Sequence, residues 1–237
     1  IFPRGSFDLI YARQDQSLAD WHGELTEALA LEPDHLSLYQ LTVEPGTAFG
    51  NRLQAGRLPG LPGEDLAADM YEATQDLCDA AGLPAYEVSN HARDGAAGRH
   101  NRIYWSAGDY AGIGPGAHGR LTISGRRHAT EAVRQPTAWL RAVEAGRGVE
   151  NVIPLSRDDE ALEYLLMGLR LTDGISLTRL AAMAGRSLSA DAASDLIASG
   201  HVETDDGWLR ATRAGRIVLN GIIRRLAEAW QLGATAG

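Results

Sequence analysis

Residues 99–120 read R-H-N-R-I-Y-W-S-A-G-D-Y-A-G-I-G-P-G-A-H-G-R, from Arg99 to Arg120. The stretch sets a His-Asn pair and a Tyr-Trp pair ahead of a glycine-rich run. Neutral imidazole and carboxamide side chains ligate or orient polar groups. Tyr104 and Trp105 each offer a flat apolar face with one polar tip. Gly112, Gly114 and Gly116 let the backbone bend sharply or admit a close neighbour. Tyr110 to Ile113 is expected to be a buried strand that these glycines end. The residues alone leave two readings open: a strand and turn that use glycine for packing, or a ligand site. G-I-G-P-G-A is not a nucleotide fingerprint, because no helix pattern of the right spacing follows it.

The 237 residues suffice for one large domain or a domain with a smaller companion. The formal charge of −9 argues against a dedicated nucleic-acid binder, which needs a concentrated basic face. Cys78 is the one cysteine, so this sequence has no disulfide framework. A single thiol holds neither an iron–sulfur cluster nor a structural zinc. No apolar run approaches the length that spans a membrane, and no signal-peptide pattern is visible, so a cytoplasmic location is expected. The sequence opens Ile-Phe-Pro, which reads as a fragment whose N-terminal part is absent.

Upstream of the glycine-rich stretch, strands and helices alternate. Ser6 to Ala12 reads as a strand, with Asp8 a carboxylate that needs a partner or a ligand. Ser17 caps a helix whose apolar stripe is Leu18, Trp21, Leu25, Ala28 and Leu29. His35 to Val43 is the next strand, and strand–helix–strand implies a right-handed parallel crossover. Leu53 to Gly63 reads as a linker. A helix follows from about Glu64 to Ala81, with Cys78 beside its apolar stripe, buried and inert. Tyr86 to Ser89 is expected as a short strand. Glu44, Asn90 and His118 fall just after strand ends, the ligand-binding rim of parallel α/β folds.

Beyond Pro154 the texture becomes helical. Ser156, Ser176, Ser189 and Thr212 read as N-caps of successive helices. Asp206-Gly207 signals a two-residue hairpin before the last of them. This order describes a winged-helix-like domain. The helix in the recognition position, S-A-D-A-A-S-D-L-I-A-S, carries two aspartates and no Lys or Arg, which disfavours a DNA-binding regulator.

The motifs D-L-I-Y, H-L-S-L-Y-Q-L-T-V-E-P-G-T-A-F, Y-E-V-S-N-H-A-R, H-N-R-I-Y-W and D-Y-A-G-I-G-P-G-A-H-G occur here in the order of the heme chaperone family of radical SAM proteins. That family is similar to the oxygen-independent coproporphyrinogen III dehydrogenases, and H-N-x-x-Y-W marks the chaperone branch. The resemblance covers nearly the whole chain. It implies an α/β fold, the later part of a partial (β/α)6 barrel over residues 1–150. A small winged-helix-like, mainly helical domain follows over 151–237.

The resemblance also implies cofactors and partners. The family's three-cysteine loop lies N-terminal to Ile1, so the 4Fe–4S cluster and the chemistry of S-adenosylmethionine belong to the full-length protein. Asp8 would face S-adenosylmethionine, with Gln40 a weaker candidate for the same pocket. The family continues D-L-I-Y with G-L-P-G-Q. Here Ala12-Arg13-Gln14-Asp15-Gln16 stands instead and is expected to alter that turn. Heme is the implied cargo, with His100 as iron ligand or edge contact, Asn101 orienting it, and Tyr104 and Trp105 against the porphyrin. His118 and His91 are weaker candidates. The implied partners are heme, heme-accepting proteins of the respiratory chain, a membrane-associated acceptor and a second copy of the chain, with no nucleic acid. The alternative activity is oxidation of coproporphyrinogen III.

Overall fold

The computed structural model describes residues 4–235, with side chains throughout except at 190 and 232–235. It divides into two compact units, Ile1–Gly98 and Arg99–Gly237.

The first unit runs β1 (Ser6–Tyr11), α1 (Leu18–Ala30), β2 (His35–Gln40), α2 (Ala48–Gln54), α3 (Glu64–Ala80) and β3 (Asn90–Ala92). β1 and β2 pair in parallel across α1, as the crossover pattern requires. β3 pairs antiparallel with β2, which departs from a purely parallel alternation. Ser17 starts α1 through a capping box: its hydroxyl accepts the Asp20 N–H, and the Asp20 carboxylate accepts the Ser17 N–H. One face of the sheet is covered by α1 and α3. Leu36 and Leu38 pack there with Trp21, Leu25, Met70 and Cys78, all essentially inaccessible. The Trp21 indole stacks on Tyr11 at 5.1 Å and donates its N–H to the Thr74 hydroxyl at 2.8 Å. Its one polar atom is therefore satisfied inside the core.

Three local expectations change. The third strand is Asn90–Ala92 rather than Tyr86–Ser89. The Glu87 carboxylate accepts from the Ser89 N–H and from the Asn90 amide, which folds the preceding residues into a bend. The expected linker begins inside a short helix, α2, capped by the Thr47 hydroxyl. The loop after β1 keeps its sharp turns without glycine. Ala12 and Asp15, which stand where the resembling family has its two glycines, have φ of 58° and 59°. The Asp15 N–H is tied to the Gly60 carbonyl at 2.7 Å, so the loop is held by bonds instead of by glycine's freedom.

The second unit opens with α4 (Arg99–Trp105), then β4 (His118–Ile123), β5 (Arg126–Ala132), α5 (Pro136–Glu144) and β6 (Val149–Pro154). β4, β5 and β6 form an antiparallel sheet in sequence order. Ser124 and Gly125, both at positive φ, make the two-residue turn between β4 and β5. The strand expected at Tyr110–Ile113 is reduced to a bridge, Tyr110 to Arg120, closed by N–H···O bonds of 2.8 and 2.9 Å. Gly112 lies against the His118 backbone with no room for a Cβ, so the chain here packs on β4 instead of extending as a strand.

The remaining elements are α6 (Arg157–Gly168), β7 (Ile175–Ser176), α7 (Leu177–Ala184), α8 (Ala190–Ala198), β8 (Val202–Asp205), β9 (Trp208–Ala211), α9 (Arg213–Ile217) and α10 (Leu219–Thr235). Ser156, Ser176, Ser189 and Thr212 each accept a backbone N–H at the start of α6, α7, α8 and α9. The three short strands form a sheet in the order β7-β9-β8, with the β8–β9 turn at Asp206-Gly207. Leu165, Leu180, Leu209, Ile222 and Leu226 fill the core of this winged-helix-like part. The described chain is thus mixed α/β with small sheets, and those sheets form no closed barrel.

Candidate functional site

H-N-x-x-Y-W forms α4, a helix of two turns, so His100 and Tyr104 stand one turn apart on the same side. Their ring planes are 20° from parallel, with centroids 6.4 Å apart. His100 is exposed, and its Nδ1 lies 3.4 Å from the Asn101 side-chain oxygen. That contact favours the tautomer protonated at Nδ1, which leaves the lone pair on Nε2. Nε2 has no partner among the described residues. Trp105 meets the Tyr104 ring edge-on at 5.4 Å, and Tyr110 meets it at 4.8 Å. The Arg170 guanidinium sits 5.5 Å from the Trp105 ring centroid. The structure therefore brings His100, Asn101, Tyr104 and Trp105 together on one short helix.

Several supporting residues carry no signal in the H-N-x-x-Y-W motif. Tyr110 is tied to β4 through the Arg120 backbone, and the Arg120 guanidinium grips Glu163 of α6 at 2.9 and 2.6 Å. Burial and then the adjacent Tyr104 hold the Tyr110 phenol above its usual range. The aromatic cluster of α4 is thus fixed to both β4 and α6. Only the i, i+4 spacing of His100 and Tyr104 could have hinted at a helix here.

In the first unit, Asp8, Ser37 and Asn90 occupy register positions across β1, β2 and β3, on the face away from α1 and α3. Glu87 holds the Asn90 amide from the side. On the same face His35 Nδ1 lies 3.0 Å from the Ser6 hydroxyl, and its Nε2 lies 3.0 Å from the Tyr86 hydroxyl. Burial pushes the His35 pKa down, opposed by the Asp8 and Glu87 carboxylates. The alternation H-x-S-x-Y in β2 is the sequence signal for this polar face. Asp8 is exposed and opens onto a groove of about 820 Å3 with Ile10, Arg13, Asp20 and Glu24. Gln40 shares its register position with Tyr11, on the opposite side of the sheet from Asp8. His91 is buried on the α3 side, 3.3 Å from the Gln75 amide, as a core residue. His118 is exposed at the start of β4, 3.9 Å from the Glu131 carboxylate.

A family model described as the HemN C-terminal domain matches residues 155–218. The chain is 38% identical to the mitochondrial radical S-adenosyl methionine domain-containing protein 1 of Mus musculus, over 98% of this chain and 56% of that protein. It is 35% identical to the heme chaperone HemW of Escherichia coli, over 92% of this chain and 56% of that protein. It is 34% identical to the HemW of Bacillus subtilis, over 93% and 58%. The chain spans about half the length of these relatives. Its fold matches the solved structure of the radical SAM enzyme coproporphyrinogen III oxidase, HemN, from Escherichia coli. The TM-score is 0.71, with 18% identity, over 97% of this chain and 55% of that one. The motifs, the C-terminal domain and the fold agree in their likeness: in sequence the chain is similar to the HemW heme chaperones and to radical S-adenosyl methionine domain-containing protein 1, and in fold to HemN.

Proposed function

We propose that the protein is a heme chaperone, which binds heme on α4 and passes it to acceptor proteins. The observation that carries this reading is the exposed His100 imidazole stacked beside Tyr104, which in turn meets Trp105. A neutral imidazole is an ordinary axial ligand for heme iron. Asn101 orients it, as second partners of ligating histidines do. The two aromatic rings supply apolar faces for the macrocycle, and relatives at similar identity carry the name heme chaperone. The acceptors are respiratory-chain proteins, one of them membrane-associated, the location is cytoplasmic, and a homodimer forms. The barrel-derived region spans residues 1–150 and the helical domain 151–237.

S-adenosylmethionine fits the first unit in one respect. Asp8 is an exposed carboxylate on the open face of the sheet, in register with Ser37 and Asn90. Such a carboxylate receives the amine or ribose hydroxyls of the cofactor. Gln40 lies on the other side, so its contact would come from the strand end. Beside a 4Fe–4S cluster in the full-length protein, this cofactor supplies radical chemistry. Cys78 does not fit a cluster ligand: it is buried, and desolvation pushes its thiol up to about 12.

Titration with hemin tests the heme reading. A Soret shift is expected in the wild type and should weaken in His100→Ala. An identical spectrum in both would remove His100 from the site. Reconstituted full-length protein given coproporphyrinogen III and S-adenosylmethionine without oxygen tests the alternative activity. Formation of protoporphyrinogen would replace the chaperone reading with an oxidase.

A further inference from the structure

The flank of α4 opposite His100 and Tyr104 borders a second cavity. Arg102 and Ser106 lie two residues beyond His100 and Tyr104, about 200° around the helix. With Tyr164 of α6, Asp173, Arg179 of α7 and Trp208 of β9 they line a recess of about 210 Å3 within the second unit. Gly174 holds φ at 73° and leaves no room for a Cβ against the Leu209 backbone. Any other residue there would push the Leu171–Gly174 loop off β9 and open the recess.

The recess is rich in donors and poor in acceptors. Arg179 lies over the Tyr164 ring, its guanidinium carbon 4.4 Å from the centroid. One of its nitrogens donates to the Ser106 carbonyl at 3.0 Å. Its other N–H groups have no acceptor among the described residues. The Tyr164 hydroxyl, on a side chain almost wholly buried, accepts the Ser176 N–H at 2.9 Å. Its own proton has no acceptor among the described residues. Arg102 donates one N–H to Asp173 at 2.9 Å, which leaves the rest of its fork unmatched. The Ser106 hydroxyl is already committed to the Arg102 carbonyl at 2.6 Å. Two guanidinium groups and a phenol proton thus face a single carboxylate, and half-exposed Trp208 adds a flat apolar wall. A donor-rich recess with a net positive charge and a flat wall suits a planar acceptor that carries a negative charge.

We propose that this recess binds a carboxylate attached to a flat apolar body, with Arg102, Arg179 and the Tyr164 hydroxyl on the carboxylate and Trp208 on the body. At about 210 Å3 the recess holds a small acid or one acidic arm of a larger molecule, not a whole macrocycle. Two sources share this chemistry: a free aromatic acid, and a propionate arm of a porphyrin. The site does not depend on heme ligation by His100.

Benzoate is the probe, with benzamide as its uncharged counterpart, and tryptophan fluorescence or titration calorimetry as the measurement. Benzoate is expected to saturate, and benzamide to bind about tenfold more weakly or less, the scale of one charged hydrogen bond. Arg179→Gln and Arg102→Gln should each weaken benzoate about tenfold. Arg102 is half exposed, so its variant keeps the test open should the Arg179 variant fail to fold. Equal binding of benzoate and benzamide, no saturable binding of benzoate, or benzoate binding indifferent to both substitutions would overturn the proposal. Protoporphyrin and its dimethyl ester then separate the sources. Preference for the free diacid, lost in Arg102→Gln, assigns the site to a porphyrin arm. A site that discriminates benzoate but treats the two porphyrins alike takes a free acid.

Discussion

The covered face of the first sheet and the α4 helix use aromatic residues in opposite ways. Trp21 is fully enclosed, stacked on Tyr11 and hydrogen-bonded to Thr74. Tyr104 and Trp105 sit on a helix of two turns with no fully buried residue, edge-on to each other, with Tyr110 tilted against Tyr104 and the Arg170 guanidinium over Trp105. The first arrangement contributes folding energy. The second holds partly buried rings in place close to the surface. An indole beside a histidine is therefore informative only together with its burial.

That contrast can be broken by stability measurements. Trp21→Ala should cost about 3–5 kcal/mol in urea unfolding, because it opens a large hole and removes the donor to the Thr74 hydroxyl. A loss under about 1 kcal/mol would mean that this core collapses around the gap. Glu163→Gln should cost about 1 kcal/mol, because it weakens the two-pronged Arg120 contact that anchors the aromatic cluster. The same variant should alter the near-ultraviolet signal of the cluster, and an unchanged signal would show that β4 alone holds it. Ala12→Gly should stabilise by up to about 1 kcal/mol, since φ of 58° strains alanine and not glycine. Destabilisation would mean that the methyl group of this buried residue outweighs the strain.

His35 gives a smaller, pH-dependent effect. Its folded pKa lies below the unfolded value near 6.5, so the folded state resists protonation. Stability is full above the unfolded pKa and falls as pH drops from there through the folded pKa. His35→Gln should flatten that part of the profile, and an unchanged slope would assign it to other groups. The smallest effect belongs to α4: His100→Ala should change stability by less than about 0.5 kcal/mol while it weakens the heme spectrum. A large loss of stability would make His100 a structural residue.

Much of this was legible in the sequence wherever a local rule governs the backbone. Ser17, Ser156, Ser176, Ser189 and Thr212 start their helices because a hydroxyl satisfies an otherwise orphaned N–H within three residues. The parallel β1–β2 pair followed from its crossover. The misplacements arise where a specific side-chain or backbone contact overrides the residue pattern. Tyr86–Ser89 has strand residues, but the Glu87 carboxylate bends it. Tyr110–Ile113 has them too, but Gly112 folds it onto β4. The β4–β5–β6 sheet was missed although Ser124-Gly125 is a hairpin turn, because neither Ser-Gly nor its flanks stand out from the surrounding polar residues. At the site, the α4 residues were identified by motif. The Arg120–Glu163 clamp joins residues 43 positions apart and has no local pattern.

The division at Gly98 falls immediately before α4. The His100 imidazole thus belongs to the same compact unit as α6 and α7, and Asp8 to the other. An antibody fragment bound to α6 or α7 would therefore bear on Glu163 and Arg179, and through Arg120 and the Ser106 carbonyl on the surroundings of the aromatic helix, without touching the imidazole itself.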